Sequence, residues 1–254
     1  MFPNDLKKHI HKLHQKKYRK EFSEFIIEGV KGVEEALNSD LEIEAVVVEG
    51  SRREEKDISR VIALAERVRE DVFFCGRNDV DTIKSADTFP GILAIARQYE
   101  VGLHDISIGE PIICLDGVRD PGNIGTIMRT ADWFGIHHFL LSEDTVDPYN
   151  EKAVRSTMGS IARVKTFKST GIAHSLEKLQ KNGYSVIVLD LNGKPLKALK
   201  KRKKVIYVFG GESQGVRDEV RALADSTYTI PKIGGAESLN VAVSAAIVMS
   251  HISL

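Results

Sequence analysis

Six short apolar runs in the C-terminal part of the chain do most to limit its fold: "PIICLDG", "HHFLLS", "ARVKTF", "SVIVLDL", "KVIYVFG" and "TYTIP". As a set they lack the polar/apolar alternation of half-exposed strands. Stretches with helical patterning stand between them, at 123–134, 151–157, 171–182, 216–224 and 238–252. Strands that are apolar on both faces and separated by helices belong to a parallel sheet covered on both sides. In such an open α/β sheet, ligands bind beyond the carboxyl ends of the strands, where loop backbone and helix N-termini converge.

The N-terminal part reads as a second, smaller α/β/α unit. "EFIIEGVKGVEEAL" is a strand, a turn at Gly29, and a helix with Val30, Val33, Ala36 and Leu37 at helical spacing. "IEAVVVEG", "VFFCG" and "GILAIARQ" supply further strands, with a helix at "RVIALAERVRE". "YEVGLHDISIGEP" has weak periodicity and two glycines, which sets the expected domains at 1–105 and 106–254. At 254 residues and 42% hydrophobic composition both can hold a core, and a piece beginning near Gly109 is expected to fold by itself.

The 36 basic and 36 acidic residues cancel, so net charge points to no partner, but their distribution is uneven. Residues 7–20, "KKHIHKLHQKKYRK", contain no acid, and "KALKKRKKV" begins at Lys197. Each run reads either as a phosphate-contacting patch or as a solvated face. Cys75 and Cys114 lie in apolar strands without a Cys-x-x-Cys pair, which suits buried thiols in a reducing, cytoplasmic setting. No apolar run approaches bilayer-spanning length, and the N-terminus is too basic for a signal peptide, so a soluble protein is expected. His137 and His138 have no second ligand cluster nearby, and no metal is expected.

Three loops that follow strands carry unusual residues. "LDGVRDPGNIGTIMRTADWFG" breaks at an Asp-Pro-Gly-Asn turn and enters a helix that bears Arg129. "GGESQGV" sets Glu212 beside Gly210 and Gly211, which allow close backbone approach, and "PKIGGAESLNVAVSAAI" brings Ser238 and Asn240 to the mouth of an apolar helix. The first loop lacks the Gly-x-Gly-x-x-Gly and the ribose-binding acid of a dinucleotide site. The second has Val216-Arg217 where a P-loop needs Lys-Ser or Lys-Thr.

The set "NIGTIMRTADWFG", "FGGESQGV" and "IPKIGGAESLNVAVSAAI", in that order and with "VDPYNEKAVRSTMGSI" between the first two, resembles the three motifs of the SpoU (TrmH) family of RNA ribose 2′-O-methyltransferases, within the SPOUT superfamily. "KKYRKEFSEFIIEGVKGVEEAL" is similar to the L30e-like substrate-binding domain that many of these enzymes carry. The resemblance implies a SPOUT α/β domain with a deep trefoil knot that holds S-adenosylmethionine, and commonly a homodimer through that domain with an active site shared between chains. It implies no metal and no membrane.

It also implies roles for residues. Asn123 and Arg129 would face the ribose, with Glu212, Ser238 and Asn240 completing the catalytic set. Leu189, Gly210, Gly211, Ile230 and Leu239 would hold the cofactor. Lys17 and Arg19 in the first domain, and Arg155 and Ser156 between motifs, are the implied RNA contacts. Ser238 also reads as a helix N-cap. A 2′-hydroxyl is a very weak acid, and Arg129, always protonated, suits stabilising its developing charge better than removing its proton. Structured ribosomal RNA is favoured over transfer RNA as substrate. The alternatives are a tRNA 2′-O-methyltransferase or a non-catalytic RNA-binding or ribosome-assembly factor; the second would be expected to have lost Arg129 or Asn240. Pro90 stands where relatives often have Gln, which bears on what the first domain binds.

Overall fold

A computed structural model describes residues 2–85, 87–106, 108–212 and 214–253, which form two compact units. In chain order the first contains α1 (Asn4–Leu13), α2 (Lys16–Phe22), β1 (Glu24–Glu28), α3 (Val30–Leu37), β2 (Ile43–Glu49), α4 (Lys56–Arg67), β3 (Val72–Cys75), α5 (Arg77–Ile83) and β4 (Ile92–Arg97). Its sheet runs β1-β4-β2-β3, with β4 antiparallel to both neighbours and β2 parallel to β3. Ile26, Val47, Leu93 and Ile95 are buried on one face, under Ile10 and Leu13 of α1.

The second unit holds α6 (Leu103–Ile106), β5 (Ile112–Asp116), α7 (Pro121–Trp133) and β6 (His138–Leu141). The chain then makes α8 (Glu151–Thr157), and continues with β7 (Lys165–Lys168), α9 (Ile172–Lys181), β8 (Ser185–Pro195), β9 (Val205–Gly210), α10 (Asp218–Arg221), β10 (Ser226–Thr229) and α11 (Val241–Ser253). The six strands form one parallel sheet in the order β10-β8-β9-β5-β6-β7, as the unalternating apolar runs require. Ile112, Cys114, Val186, Val188, Ile206 and Val208 form one buried face with Leu176 and Leu179 of α9.

Residues 147–163, with α8, belong to the first unit rather than the second. Asp147 accepts from Arg19 Nη2 at 2.7 Å and from its Nε at 3.0 Å, and the Tyr149 ring lies 4.6 Å from that of Phe25. Arg163 donates to Glu35 at 2.6 Å, and Tyr99 Oη donates to the Ala162 carbonyl at 2.7 Å. The expected helix at 151–157 is present, but its company differs from a single division of the chain after residue 105. Local periodicity reports a helix's apolar side without saying which core receives it.

Candidate active site

The sheet order changes direction at β5. From there the chain builds outward through β6 and β7, whereas β9, β8 and β10 lie on the other side. Ligand crevices open at such switch points, here between the carboxyl ends of β5 and β9, where Asp116 pairs with Gly210. Asp116 is buried, and each of its polar groups is used. Its carbonyl accepts Gly211 N–H at 2.8 Å; Oδ2 accepts the Arg217 N–H at 2.9 Å and Oδ1 its Nε–H at 2.7 Å. One residue therefore grips both ends of the loop 211–217. The hydrogen bond from Asp116 raises the Arg217 pKa above its ordinary value, and Asp144, held low mainly by Ser142 Oγ at 2.8 Å, adds charge 3.6 Å from the same guanidinium.

The glycines at the head of this loop are required by the chain itself. A Cβ at Gly210 would stand 2.1 Å from the Gly215 carbonyl carbon, and one at Gly211 would stand 2.3 Å from the Gly117 carbonyl oxygen. What Gly210 and Gly211 can offer a ligand is backbone, since the space beside their α-carbons is already filled.

The three sequence motifs meet at polar side chains. Asp120 caps α7 by accepting Asn123 N–H at 2.9 Å, with Pro121 at the first helical position where no N–H is needed. This fixes Asn123, whose Nδ2 donates to Glu212 Oε1. Asn240 Nδ2 donates to Asn123 Oδ1 at 3.0 Å and to Glu212 Oε1 at 3.3 Å. Asn240 Oδ1 accepts the Ala242 and Val243 N–H groups at 2.9 and 3.3 Å, so the N-cap of α11 is Asn240 and not Ser238. Ser238 lies in the exposed segment 231–240.

Arg129 is not part of this cluster. It lies six residues beyond Asn123, about 9 Å along the helix and on a different azimuth. It is exposed, and among the described residues it makes no hydrogen bond or ion pair. Trp133, one turn further on, is 84% exposed.

The residues implied for the cofactor gather at the same carboxyl edge. Leu189 pairs with Phe209, one step short of Gly210. Beyond it the register between β8 and β10 jumps from Val188 to Lys194, so residues 189–193 bulge and Leu191 is exposed. Ile230 follows β10 directly, and Leu239, half-exposed, precedes Asn240. Gly234 and Gly235 have open space beside them. A bulged strand and a glycine-bearing exposed loop, with apolar Leu191 and Leu239 beside free backbone, fit a nucleoside-containing methyl donor.

The implied RNA contacts divide. Lys17 is exposed, with its ammonium 5.3 Å from the Tyr18 ring centre. Arg19 is only 3% exposed; besides Asp147 it donates to the Leu13 and His14 carbonyls at 3.0 and 2.9 Å, so its guanidinium is spent inside the first unit. Arg155 donates to Ser85 Oγ and, at 3.2 Å, to the buried Glu28 carboxylate, which makes it structural as well. Ser156 is half-buried and donates back to the Lys152 carbonyl at 2.8 Å. Sequence reasoning missed Asp116 and Arg217 altogether. The available signal was an Asp that ends an otherwise apolar strand, the position from which a carboxylate reaches the crevice. Among the described residues, no group of His, Cys, Asp and Glu is arranged to hold a metal, and no helix is long and apolar enough to cross a membrane.

Fold and site together define the class first: a parallel α/β domain whose ligand edge is built from three polar loops, joined to a small mixed α/β unit. Residues 110–250 match the SpoU rRNA Methylase family, and residues 4–88 match the MRM3-like substrate binding domain. The chain is 31% identical to the 23S rRNA (guanosine(2553)-2′-O)-methyltransferase RlmP of Bacillus subtilis, over 95% of this chain and 93% of that one. It is 30% identical to the 23S rRNA (guanosine-2′-O-)-methyltransferase RlmB of Bordetella pertussis, over 81% and 86% of the two chains. The AdoMet-bound rRNA methyltransferase from Sinorhizobium meliloti superposes with a TM-score of 0.84 at 31% identity, covering 98% of this chain and 94% of that one. The chain belongs to the SpoU rRNA methylase family.

Proposed function

We propose that this protein methylates a ribose 2′-hydroxyl of ribosomal RNA, with S-adenosylmethionine as donor. The observation that carries the reading is the convergence of Asn123, Glu212 and Asn240, one from each motif, at the carboxyl edge of the parallel sheet. When bound, the sulfonium supplies an already activated methyl group, which leaves the protein to position the hydroxyl and manage its proton. Glu212 and the two asparagines hold the loops in register around the reacting groups. Arg129, permanently charged and unpaired, stabilises the developing alkoxide and directs its proton toward a neighbouring phosphate. Leu189, Gly210, Gly211, Ile230 and Leu239 bind the donor, and Ser238 contacts substrate or pins the loop.

Residues 106–254, apart from 147–163, act as the knotted catalytic domain, and residues 1–105 together with 147–163 as the RNA-binding unit, with Lys17 and Ser156 among its contacts. The active unit is a homodimer. Two features support this: Arg129 stands about 9 Å along its helix from the cluster of its own chain, and Trp133, Leu239, Val243 and Ile247 leave an apolar surface exposed on the second unit. Ribosomal RNA is favoured over transfer RNA because the RlmP and RlmB relatives, which match over both units at 30% identity or more, are named for 23S rRNA. The protein acts in the cytoplasm, where that RNA is. Mapping 2′-O-methyl sites in total RNA from cells with and without the gene tests the reading. Loss of a site in ribosomal RNA is expected; loss confined to transfer RNA would reassign the substrate, and no loss would remove the assignment.

A further inference from the structure

A basic edge lies at the other end of the second unit's sheet. Residues 200–204, Lys-Lys-Arg-Lys-Lys, are all exposed and lead directly into β9. Because β9 runs from Val205 to Gly210 parallel to β5, these cations sit at the amino edge, opposite the edge that carries Asn123, Glu212 and Asn240. Backbone and side-chain bonds fix the placement. The Lys204 carbonyl accepts Ser185 N–H at 3.0 Å at the start of β8, Lys204 Nζ donates to the Asn182 carbonyl at 3.1 Å just past α9, and Lys201 Nζ donates to the Ser253 carbonyl at 3.2 Å at the end of α11.

Lysines that close helix C-termini have a structural reason to be there, since they neutralise unpaired carbonyls and the negative end of the helix dipole. That reason covers Lys201 and Lys204. It does not cover Lys200, Arg202 and Lys203, and among the described residues no carboxylate pairs with any of the five. The N-terminal basic run is compensated in part: Lys7 is paired with Asp79 at 2.7 Å and Arg19 with Asp147 at 2.7 Å, and His9 and His14 each touch a glutamate. With 36 basic and 36 acidic residues in balance, Lys200, Arg202 and Lys203 are a local excess of charge in one short exposed run.

We propose that Lys200, Arg202 and Lys203 form a second RNA contact, binding backbone phosphates of a part of the folded substrate away from the target nucleotide. The inference rests on the RNA-methyltransferase reading above. An anionic membrane is a poorer match, because residues 200–204 offer no apolar side chain to insert. Five residue steps of β9 separate the two edges by about 17 Å. A dinucleotide at the active edge, about 3.4 Å per stacked step, does not reach the patch, whereas a folded RNA spans it.

The test compares the wild-type full chain with Lys200→Gln/Arg202→Gln/Lys203→Gln. The probes are in-vitro-transcribed 23S ribosomal RNA, an RNA dinucleotide and phosphatidylglycerol vesicles. For the long RNA, affinity is expected to fall about tenfold or more and the slope of log affinity against log salt to become shallower by about 2 to 3, as for three lost phosphate contacts. Affinity for S-adenosylmethionine and for the dinucleotide is expected to stay unchanged, and Lys200→Arg/Lys203→Arg is expected to bind like wild type. Unchanged long-RNA affinity and salt slope in the triple Gln variant, with wild type binding normally, would overturn the proposal; vesicle binding lost in that variant alone would assign the patch to lipid instead. Wild type that binds neither S-adenosylmethionine nor RNA would overturn the underlying reading, a different result from the first.

Discussion

Asp116 is held in an ion pair with Arg217 at the end of β5. Its carboxylate is buried, and Arg217 supplies two of the donors that satisfy it. The two partners are unequal, because the Arg217 side chain is 37% exposed and can rehydrate. Arg217→Ala strands a buried carboxylate and is expected to cost about 3 kcal/mol. Asp116→Asn leaves a half-exposed guanidinium and is expected to cost about 1 to 2 kcal/mol. Chemical denaturation of both variants checks the order, and a larger loss for Asp116→Asn would contradict the clamp as drawn. Arg129→Ala, in contrast, removes no hydrogen bond or ion pair among the described residues and is expected to leave stability and S-adenosylmethionine affinity nearly unchanged while methyl transfer falls by orders of magnitude. Single-turnover rates on donor-saturated enzyme together with calorimetry separate these quantities; lost donor binding with a retained rate would remove Arg129 from the chemistry. Asn123, Glu212 and Asn240 were singled out by their resemblance to the three motifs, and the structure brings their side chains within hydrogen-bond reach of one another. Arg19 was misread because a basic run looks alike whether its partner is a phosphate or Asp147, which lies 128 positions away.

The strands were the most readable elements, since apolar runs bounded by turn residues have few other uses. Two local features were not readable. The helix expected at 216–224 is only Asp218–Arg221, because Val216 and Arg217 are committed to the loop that Asp116 holds and Asp225 is diverted to accept Val186 N–H at 2.7 Å. The bulge at 189–193 depends on pairing with β10, some 35 residues downstream, and leaves no local trace. The glycines separate packing from ligand binding. Gly211→Ala drives a Cβ into the Gly117 carbonyl and is expected to cost a few kcal/mol, about 2 or more, with activity falling in step. Gly234→Ala meets open space and is expected to leave the melting temperature within about 1 °C while weakening S-adenosylmethionine binding. Equal destabilisation by the two substitutions would contradict this division.

At the scale of the whole molecule, the chain's two units are not two contiguous lengths of sequence. A piece beginning at Gly109 was expected to carry a complete core, but it retains residues 147–163 without the side chains that bury them. Tyr149, Ala153, Val154 and Ile161 are buried, and the charged partners of Asp147, Glu151 and Arg155, namely Arg19, His14 and Glu28, all precede residue 100. Such a piece is expected to melt at lower temperature than the full chain and to aggregate, and removal of 147–163 with a short linker is expected to reverse much of that. Thermal unfolding of the two pieces decides, and a Gly109 start as stable as the linker version would show that 147–163 needs no first unit. The same arrangement interleaves in sequence the unit proposed to bind RNA and the unit proposed to transfer the methyl group.

In the proposed function the carboxyl-edge cluster directs a methyl group to a ribose oxygen. An assay for this incubates the purified full chain with methyl-labelled S-adenosylmethionine and in-vitro-transcribed 23S ribosomal RNA, digests the RNA to nucleosides, and locates the label. Label is expected in one 2′-O-methylnucleoside, on the sugar, and is expected to be abolished by Arg129→Ala. Label on a base, or transfer undiminished in Arg129→Ala, would contradict the proposed function.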